Sequence, residues 1–525
     1  MSRVKGYRQL MQAIIVSICL LVVVAACQNG VAQIANKNTL SLQNEAIATP
    51  SSTATAVTGQ GMGILVPQQH GKTPVTTTKG KISATPTAQG GTGTASGSGT
   101  ATPNPGSGAG APGAGTSNPV GVPAGFPNYF SFGVMSNPGE APILDAMRSQ
   151  NGTAYAFRYQ YLTGGVNTGH GWETWNQPAG QYATNYMNES YQNGYIPAFA
   201  YYEICLSNGV NPGSYCGGHN LQQDTSNIDN PSTMNAYYAN WALLMQRIGA
   251  FGHPVLVIVE PDFWGFMQNA TNGSDNAADV PASVNSSGYP DAAGFPDTVQ
   301  GFAWALLHMR DKYAPNAILA LHASCWASGN DIATSTSPNL NVTAMVQQEA
   351  AFLNSAGLVG NPAGVSSWDV LSNDVADFDS GQPGSRGWWD RYNKTFPNFA
   401  RYLSFISQLS QATNRRVVMW QVPMGNQYFD TMNNSPGHYQ DNRAEYILGH
   451  VQDFANAGVI AVLFGPGNGG TMNTDAMHDG VTNPAPISTY ECNMCNNHVS
   501  SYPDDDGGYL RIFVGQYMQN PLPLS

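Results

Sequence analysis

The chain has 525 residues, of which 42% are hydrophobic and 10% are charged, and its formal net charge is −12. Because residues 1–26 carry +3 and residues 28–125 carry another +3, the remainder of the chain carries −18. A domain this acidic is a poor partner for nucleic acid or other polyanions, so we expect no nucleic acid and a neutral ligand instead.

The N-terminus has the pattern of an exported protein. Residues 1–26 combine a basic start (Arg3, Lys5 and Arg8), a long apolar stretch and small residues directly before Cys27. This order is typical of a secretory signal peptide. The ending VAAC resembles the lipobox of bacterial lipoproteins, which implies that Cys27 becomes the lipidated first residue of the mature chain. The alternative is an ordinary signal peptide or an uncleaved anchor, with Cys27 incidental.

Residues 27–125 consist mainly of Gly, Ser, Thr, Ala and Pro. From Gln28 to Gly125 there is no aromatic residue, and only five residues are charged. Such a segment cannot bury enough apolar surface to fold, so it predicts a disordered stalk with an average reach of ~50–60 Å. All ten tryptophans lie in residues 126–525, the predicted folded domain. We expect a monomer at the extracellular face of a bacterial membrane, which it contacts only through the lipid anchor.

Four of the five cysteines after Cys27 form two close pairs. Cys205 and Cys216 flank a loop rich in Gly and Asn, and Cys492 and Cys495 form a Cys-x-x-Cys motif. In an exported protein this spacing predicts two local disulfides, one within each pair. A redox pair or a zinc site at the second motif is the alternative interpretation.

Apolar runs recur eight times in the folded part of the chain. They span residues 128–136, 155–165, 196–204, 254–265, 317–328, 367–377, 415–426 and 458–469. Runs that are apolar on both faces predict strands of a parallel sheet covered on both sides. Apolar spacings of three and four residues predict helices between them, for example at 299–313 and 399–409, and a last helix around 508–519. Eight β-then-α units predict an α/β fold, a (β/α)8 TIM-type barrel with long βα loops. An open doubly wound sheet is the alternative, but no nucleotide-binding fingerprint follows the first strand.

Carboxylates follow the predicted strands, where barrel enzymes carry their chemistry. In the run PVLVIVEPDFWGF, the apolar residues Val255–Val259 are followed by Glu260 and Asp262, which share one strand parity. Glu203 follows the third strand and Asp374 the sixth, and we predict these four as catalytic. Buried carboxylates are costly unless paired, so several at one edge indicate function. Cleavage of a glycosidic bond needs one protonated carboxyl and one ionised carboxylate.

Polar side chains and flat rings in the same loops form the predicted substrate-binding set. They are Arg158, Tyr161, Trp172, Trp175, Trp264, His322, Trp326, Asp377 and Gln421. Flat rings suit the apolar faces of sugars, and the polar groups suit hydroxyls. For two or three of these tryptophans we expect loop packing instead. The ligand expected is a neutral polysaccharide or oligosaccharide, without a cofactor.

The strand-end pattern resembles that of glycoside hydrolases. VIVEPDFWG is similar to the Glu-Pro-Asp strand end of family 6 cellulases, although that family carries its proton donor on an earlier strand, where this chain has Arg158 and Tyr161. Retaining barrel glycosidases carry glutamates at the ends of strands four and seven. Glu260 takes the first place, but Gln421 stands where the nucleophile would be. Runs such as FRYQYLTGGVNTG also resemble an uncharacterised group of exported bacterial proteins.

Three functions remain open from the sequence. The first is a surface-anchored glycoside hydrolase. The second is a metal-dependent sugar-acting barrel enzyme, against which the sequence has no His-x-His or His-Glu-x-x-His motif. Its ligands would be Glu203, Glu260, Asp262, His322 and Asp374. The third is a carbohydrate-binding surface lipoprotein without catalysis, which the neutral Gln421 favours.

Overall fold

The computed structural model of the chain describes residues 121–209, 221–375, 379–382, 387–429, 432, 439–465 and 508–524. The signal segment, Cys27, most of the stalk, Cys216, Asp377, Cys492 and Cys495 lie outside these ranges. Lipidation and both disulfide pairings therefore remain predictions. Within the described ranges, no helix is long and apolar enough to cross a membrane.

Eight parallel strands close into a barrel in chain order, which confirms the predicted (β/α)8 fold. Each strand lies within one of the eight apolar runs. The strands are β1 (Ser131–Met135), β2 (Phe157–Thr163), β3 (Ile196–Tyr202), β4 (Val255–Val259), β5 (Ala317–His322), β6 (Val370–Asn373), β7 (Val417–Pro423) and β8 (Val459–Gly465). The last strand pairs with the first, with Ser131 opposite Ala461. Closure explains why the strands are apolar on both faces, because one face fills the barrel and the other packs under helices.

Helices lie between the strands and after the last one. They are α1 (Ala141–Asn151), α2 (Gln181–Gln192), α3 (Leu221–Ile228), α4 (Pro231–Phe251), α5 (Phe263–Ala270), α6 (Val299–Tyr313), α7 (Val342–Leu353), α8 (Phe399–Thr413), α9 (Arg443–Gly449), α10 (Val451–Asn456) and α11 (Tyr509–Tyr517). The helices predicted at 299–313, 399–409 and 508–519 are present as α6, α8 and α11. Local signals set the ends: the Asn230 side chain caps α4, which Pro231 begins and Gly252 ends in the left-handed conformation.

Rings from β2 and β7 fill the interior of the barrel, and small residues face them. Phe157, Tyr159 and Trp420 are buried there among alanines of β3 and β5. In β1, a Cβ at Gly133 would lie 2.3 Å from Leu463 Cδ2 and 2.7 Å from Phe157 Cβ. The interior is therefore a packed core in which a glycine makes room for large neighbours.

Both ends of the described chain close the barrel at the amino ends of its strands. The ring of Phe126 lies 5.0 Å from that of Phe157 at the start of β2. The N–H of Leu524 donates to the carbonyl of Asn128 at 2.8 Å, and both Phe126 and Leu524 pack on the interior cluster. The opposite end, where the strands finish, carries the predicted site residues.

Candidate active site at the carboxyl ends of the strands

Aromatic rings form the layer of the barrel interior nearest the carboxyl ends. The ring centroid of Trp420 in β7 lies 5.9 Å from that of Tyr161 in β2 and 6.1 Å from that of His322 in β5. Trp420 and His322 are buried, whereas Tyr161 is half-buried. Tyr161 is therefore the member of this layer that a ligand can reach.

Asp374 is the residue directly after β6, and it pairs with the buried His322. Its Oδ1 lies 3.3 Å from His322 Nε2. The Asp374 side chain is 25% exposed, whereas that of His322 is fully buried. On its other side, His322 Nδ1 lies 3.1 Å from Ser372 Oγ and 3.3 Å from Trp420 Nε1. The carboxylate thus stands at the opening on a support built from three adjacent strands.

Asp262 is the second half-buried carboxylate at this end of the barrel. It immediately precedes α5, and its Oδ2 accepts a 3.0 Å hydrogen bond from the hydroxyl of Tyr202 at the end of β3. Its backbone has φ 65°, and Glu260 two residues earlier has φ 45°. Non-glycine residues with positive φ are strained and cluster at functional sites.

Glu260, by contrast, is buried behind the opening. It is 1% exposed and accepts hydrogen bonds of 3.1–3.3 Å from the backbone N–H groups of Glu203 and Ile204. Burial outweighs these two donors and raises the pKa of Glu260 to about 8. The two carboxylates of β4 therefore do not share one environment, because the positive φ at both residues breaks the strand alternation on which equal parity depends.

Glu203 is fully buried beside Glu260, and neither of its carboxylate oxygens makes a hydrogen bond of normal geometry within the described structure. Burial, and then the charge of Glu260, raise the pKa of Glu203 well above its usual range. The geometry places the charge of this pair, when it carries one, on Glu260, because Glu260 receives the backbone donors.

Arg158 lies away from the opening, in the layer between β2 and α2. It is fully buried and donates to Ser136 Oγ at 3.2 Å, Ser190 Oγ at 3.2 Å and the Asn137 carbonyl at 2.7 Å. Its guanidinium also lies 3.3 Å from Glu189. These contacts make Arg158 a scaffold residue, which corrects its assignment to substrate binding: in strand alternation it belongs to the helix side.

The predicted sugar-binding tryptophans divide into two groups. Trp172 and Trp264 are buried, and the indole of Trp264 donates to the Val259 carbonyl at 2.9 Å. These two rings pack the scaffold and present no face to a ligand, as expected for some of the set. Trp175 is 38% exposed, and Trp326 is half-buried after β5. Only the second pair keeps accessible ring surface.

Gln421 lies in an irregular part of β7. The pairing register with β8 shifts between Met419 and Val422, and Gln421 has φ 52°. Its side chain is half-buried beside Gly465, where an added Cβ would lie 3.3 Å from Gln421 Cγ. Such bulges re-aim side chains next to active sites.

The sequence prediction omitted three residues that the structure brings to this end: Tyr202, Ser372 and Trp420. The alternation of inward and outward residues along each strand is the sequence signal that could have identified them. Tyr202 shares the inward parity of Ala198 and Ala200, and Trp420 that of Val418.

Among the described residues, no group of three or more His, Cys, Asp or Glu side chains is arranged to hold a metal ion. Glu203 and Glu260 meet at the end of β3, whereas His322 and Asp374 meet at the ends of β5 and β6.

No protein-family model matches the sequence, and no curated protein matches it. Among solved structures, the chain is similar to a native Bacteroidetes-affiliated GH5 cellulase linked with a polysaccharide utilization locus, with TM-score 0.42 and 9% identity over 75% of this chain and 92% of that one. It is similar to the catalytic domain of Cellulomonas fimi Cel6B, with TM-score 0.34 and 14% identity over 76% and 96% of the two chains. It is also similar to a β-mannanase from a symbiotic protist of the termite Reticulitermes speratus, with TM-score 0.32 and 11% identity over 64% and 80%. At these scores the likeness bears on neither activity nor substrate, and the barrel is shown by its own strand order.

Proposed function

We propose that the protein is a glycoside hydrolase that cleaves a neutral polysaccharide or oligosaccharide by carboxylate acid/base catalysis. The observation that carries the proposal is the pair Asp262 and Asp374, two partly exposed carboxylates at the ends of β4 and β6. Each is supported from within the barrel, Asp262 by Tyr202 and Asp374 by His322. Glycosidic cleavage uses such a pair across the scissile bond, one as proton donor and the other as base or nucleophile.

The proposal gives the two carboxylates different roles. In this proposal Asp374, beside the imidazole of His322, is the base or the nucleophile. Asp262 is then the proton donor to the leaving oxygen. Glu260 and Glu203, the other two predicted catalytic residues, are buried. In this proposal their role is indirect, because the Glu260 carboxylate holds the backbone of Glu203, the residue after Tyr202.

Ring surface and charge indicate the kind of substrate. Tyr161 and Trp326 are half-buried, and Trp175 is exposed, so flat faces are accessible on the loops and floor of this end. The formal charge of −18 outside the signal and stalk repels anionic polymers. A neutral sugar chain satisfies both constraints.

The proposal includes the anchor. Cys27 would carry the lipid, and the stalk to residue 125 would hold the barrel outside the membrane. The first described residues meet the barrel at the amino ends of its strands, where Phe126 packs on Phe157. Cys27→Ala should abolish membrane partitioning, and a variant that fractionates and migrates like wild type would contradict the anchor.

Turnover on a panel of neutral polysaccharides, measured as new reducing ends, tests the activity. We expect Asp262→Asn and Asp374→Asn each to lower kcat by ~10²-fold or more, with the unfolding temperature and sugar binding retained. Asp453→Asn, on the exposed side of α10, is the matched control and should leave turnover unchanged. Turnover at the wild-type rate in both site variants would exclude this pair. Activity that a chelator abolishes would instead favour the metal-dependent alternative.

A second function is favoured by Gln421, a neutral amide at the end of β7. A barrel without a strand-seven carboxylate could bind carbohydrate at the surface without cleaving it. Polysaccharide binding by the wild-type chain, with no turnover on any bound polymer, would select this function.

A further inference from the structure

We propose that His322 is a positioning residue for Asp374 and that the indole of Trp420 holds it in one tautomer, with the proton on Nε2. The catalytic consequence rests on the proposed function, whereas the tautomer follows from the contacts of the ring alone. The sequence predicts a substrate-binding role for His322, but the structure gives its side chain no exposed surface for that role.

The proton donors around the ring determine the tautomer. The indole N–H of Trp420 can donate and cannot accept, and it lies 3.3 Å from His322 Nδ1. Nδ1 must therefore offer a lone pair to it. The hydroxyl of Ser372 lies 3.1 Å from the same nitrogen and can also donate to it. A neutral imidazole has a single N–H, so that proton lies on Nε2.

The protonated nitrogen faces the carboxylate. His322 Nε2 lies 3.3 Å from Asp374 Oδ1, and the His322 side chain is fully buried. Asp374 belongs to the loop after β6, whereas His322 belongs to strand β5. The buried imidazole on the strand can therefore orient the carboxylate on the loop. The contact lies outside normal hydrogen-bond geometry, so in this proposal the N–H orients the carboxylate by electrostatic attraction across 3.3 Å.

The ring itself is fixed by rigid elements. Its three polar neighbours come from β6, the residue after β6, and β7, and its plane is at 90° to that of Trp420. Rotation of the imidazole by half a turn would lose the contacts at both nitrogens. Ser372 is fully buried and faces Nδ1 together with the indole, so the Ser–His–Asp set here is a support and not a nucleophile with its base.

Nitrogen-15 NMR of the full chain, labelled on its ten histidines, tests the tautomer without any change to the interior. The His322 signals are identified by their loss in His322→Gln. We expect a protonated Nε2 and an unprotonated Nδ1 in wild type. The double variant Ser372→Ala/Trp420→Phe removes both donors and should give a mixture of tautomers. A protonated Nδ1 in the wild-type chain would overturn the inference.

Kinetics on a polysaccharide that wild type cleaves tests the positioning role. His322→Asn cannot reach Asp374 and should lower kcat roughly 10²-fold, with KM within about twofold of wild type. His322→Gln keeps an N–H near the position of Nε2 and should recover part of kcat. His253→Asn, before β4 at the other end of the barrel, is the matched control.

Two results separate this inference from the proposed function. A raised KM with unchanged kcat in His322→Asn would return His322 to substrate binding and overturn the positioning role while the enzyme stands. Absence of turnover on every polysaccharide would remove the proposed function, and the NMR experiment would still decide the tautomer.

Discussion

The hydroxyl of Tyr202 donates a 3.0 Å hydrogen bond to Oδ2 of Asp262, which joins the end of β3 to the residue that precedes α5. Asp262 has φ 65°, a conformation that costs a non-glycine residue about 1–3 kcal/mol. Burial, and then the charge of Asp262, raise the pKa of Tyr202 well above its usual range. The tyrosine therefore keeps its proton and remains a donor to Asp262 throughout the neutral range.

Removal of this hydroxyl should impair catalysis more than folding. As the proposed proton donor, Asp262 becomes charged in the transition state, and a hydrogen bond to a charged group contributes about 1.5–3 kcal/mol. Tyr202→Phe should therefore lower kcat by roughly 10–100-fold while the ring continues to pack. Steady-state kinetics and thermal unfolding measure the two effects. Tyr201→Phe is the matched control, because the Tyr201 hydroxyl faces the helix layer and bonds Asn240 at 3.3 Å. Equal kcat values in the two variants would contradict a role for Tyr202 at the site.

The fold could be predicted because each strand is an apolar run long enough to be buried on both faces. The composition of the site could be predicted only in part. In β4, the sequence shows that Glu260 and Asp262 end the strand, but their exposure depends on positive φ values that no local pattern indicates. In β7, strand parity predicts that Trp420 points inward, whereas no sequence pattern indicates its contact with His322.

The buried pair Glu203 and Glu260 predicts a characteristic pH dependence of stability. The pKa of Glu260 rises from 4.5 to about 8 on folding, and that of Glu203 also rises well above its usual range. The folded state then binds more protons than the unfolded state between these values, so this contribution to stability is present below about pH 4.5 and is lost as the pH rises through about 8.

Urea unfolding at several pH values between about 5 and 8 measures this contribution. We expect the unfolding free energy to decrease less with rising pH in Glu260→Gln than in wild type. Across this pH range the two decreases should differ by an amount on the order of a few kcal/mol. Glu349→Gln is the comparison, since Glu349 is also buried with a raised pKa but lies on α7. It should flatten the profile without changing turnover. A Glu260→Gln profile parallel to that of wild type would refute the shifted pKa.

Arg158 provides a test of scaffold against substrate binding. Arg158→Met leaves Glu189 without its buried partner and three acceptors without their donor, so unfolding free energy should fall by about 3–5 kcal/mol. Arg158→Lys keeps the charge but not the branched geometry, and we expect an intermediate loss. Both variants, assayed while folded, should keep the KM of wild type. A raised KM with unchanged stability would restore the substrate-binding assignment.

The boundary of the folded domain can be located to a few residues. Protease should remove the chain before about Pro123 and leave one resistant domain, because the preceding segment has no core-forming residues. Two stable fragments from within residues 126–525 would contradict a single cooperative barrel.

From Val122 onward the chain packs on the interior cluster, and Phe126 closes the barrel against Phe157. A chain that starts at residue 121 should therefore unfold at the wild-type temperature. A chain that starts at residue 128 lacks the Phe126 ring and should lose roughly 1–2 kcal/mol of unfolding free energy, since that ring is only partly buried. Equal stability of the two truncated chains would show that Phe126 does not close the barrel.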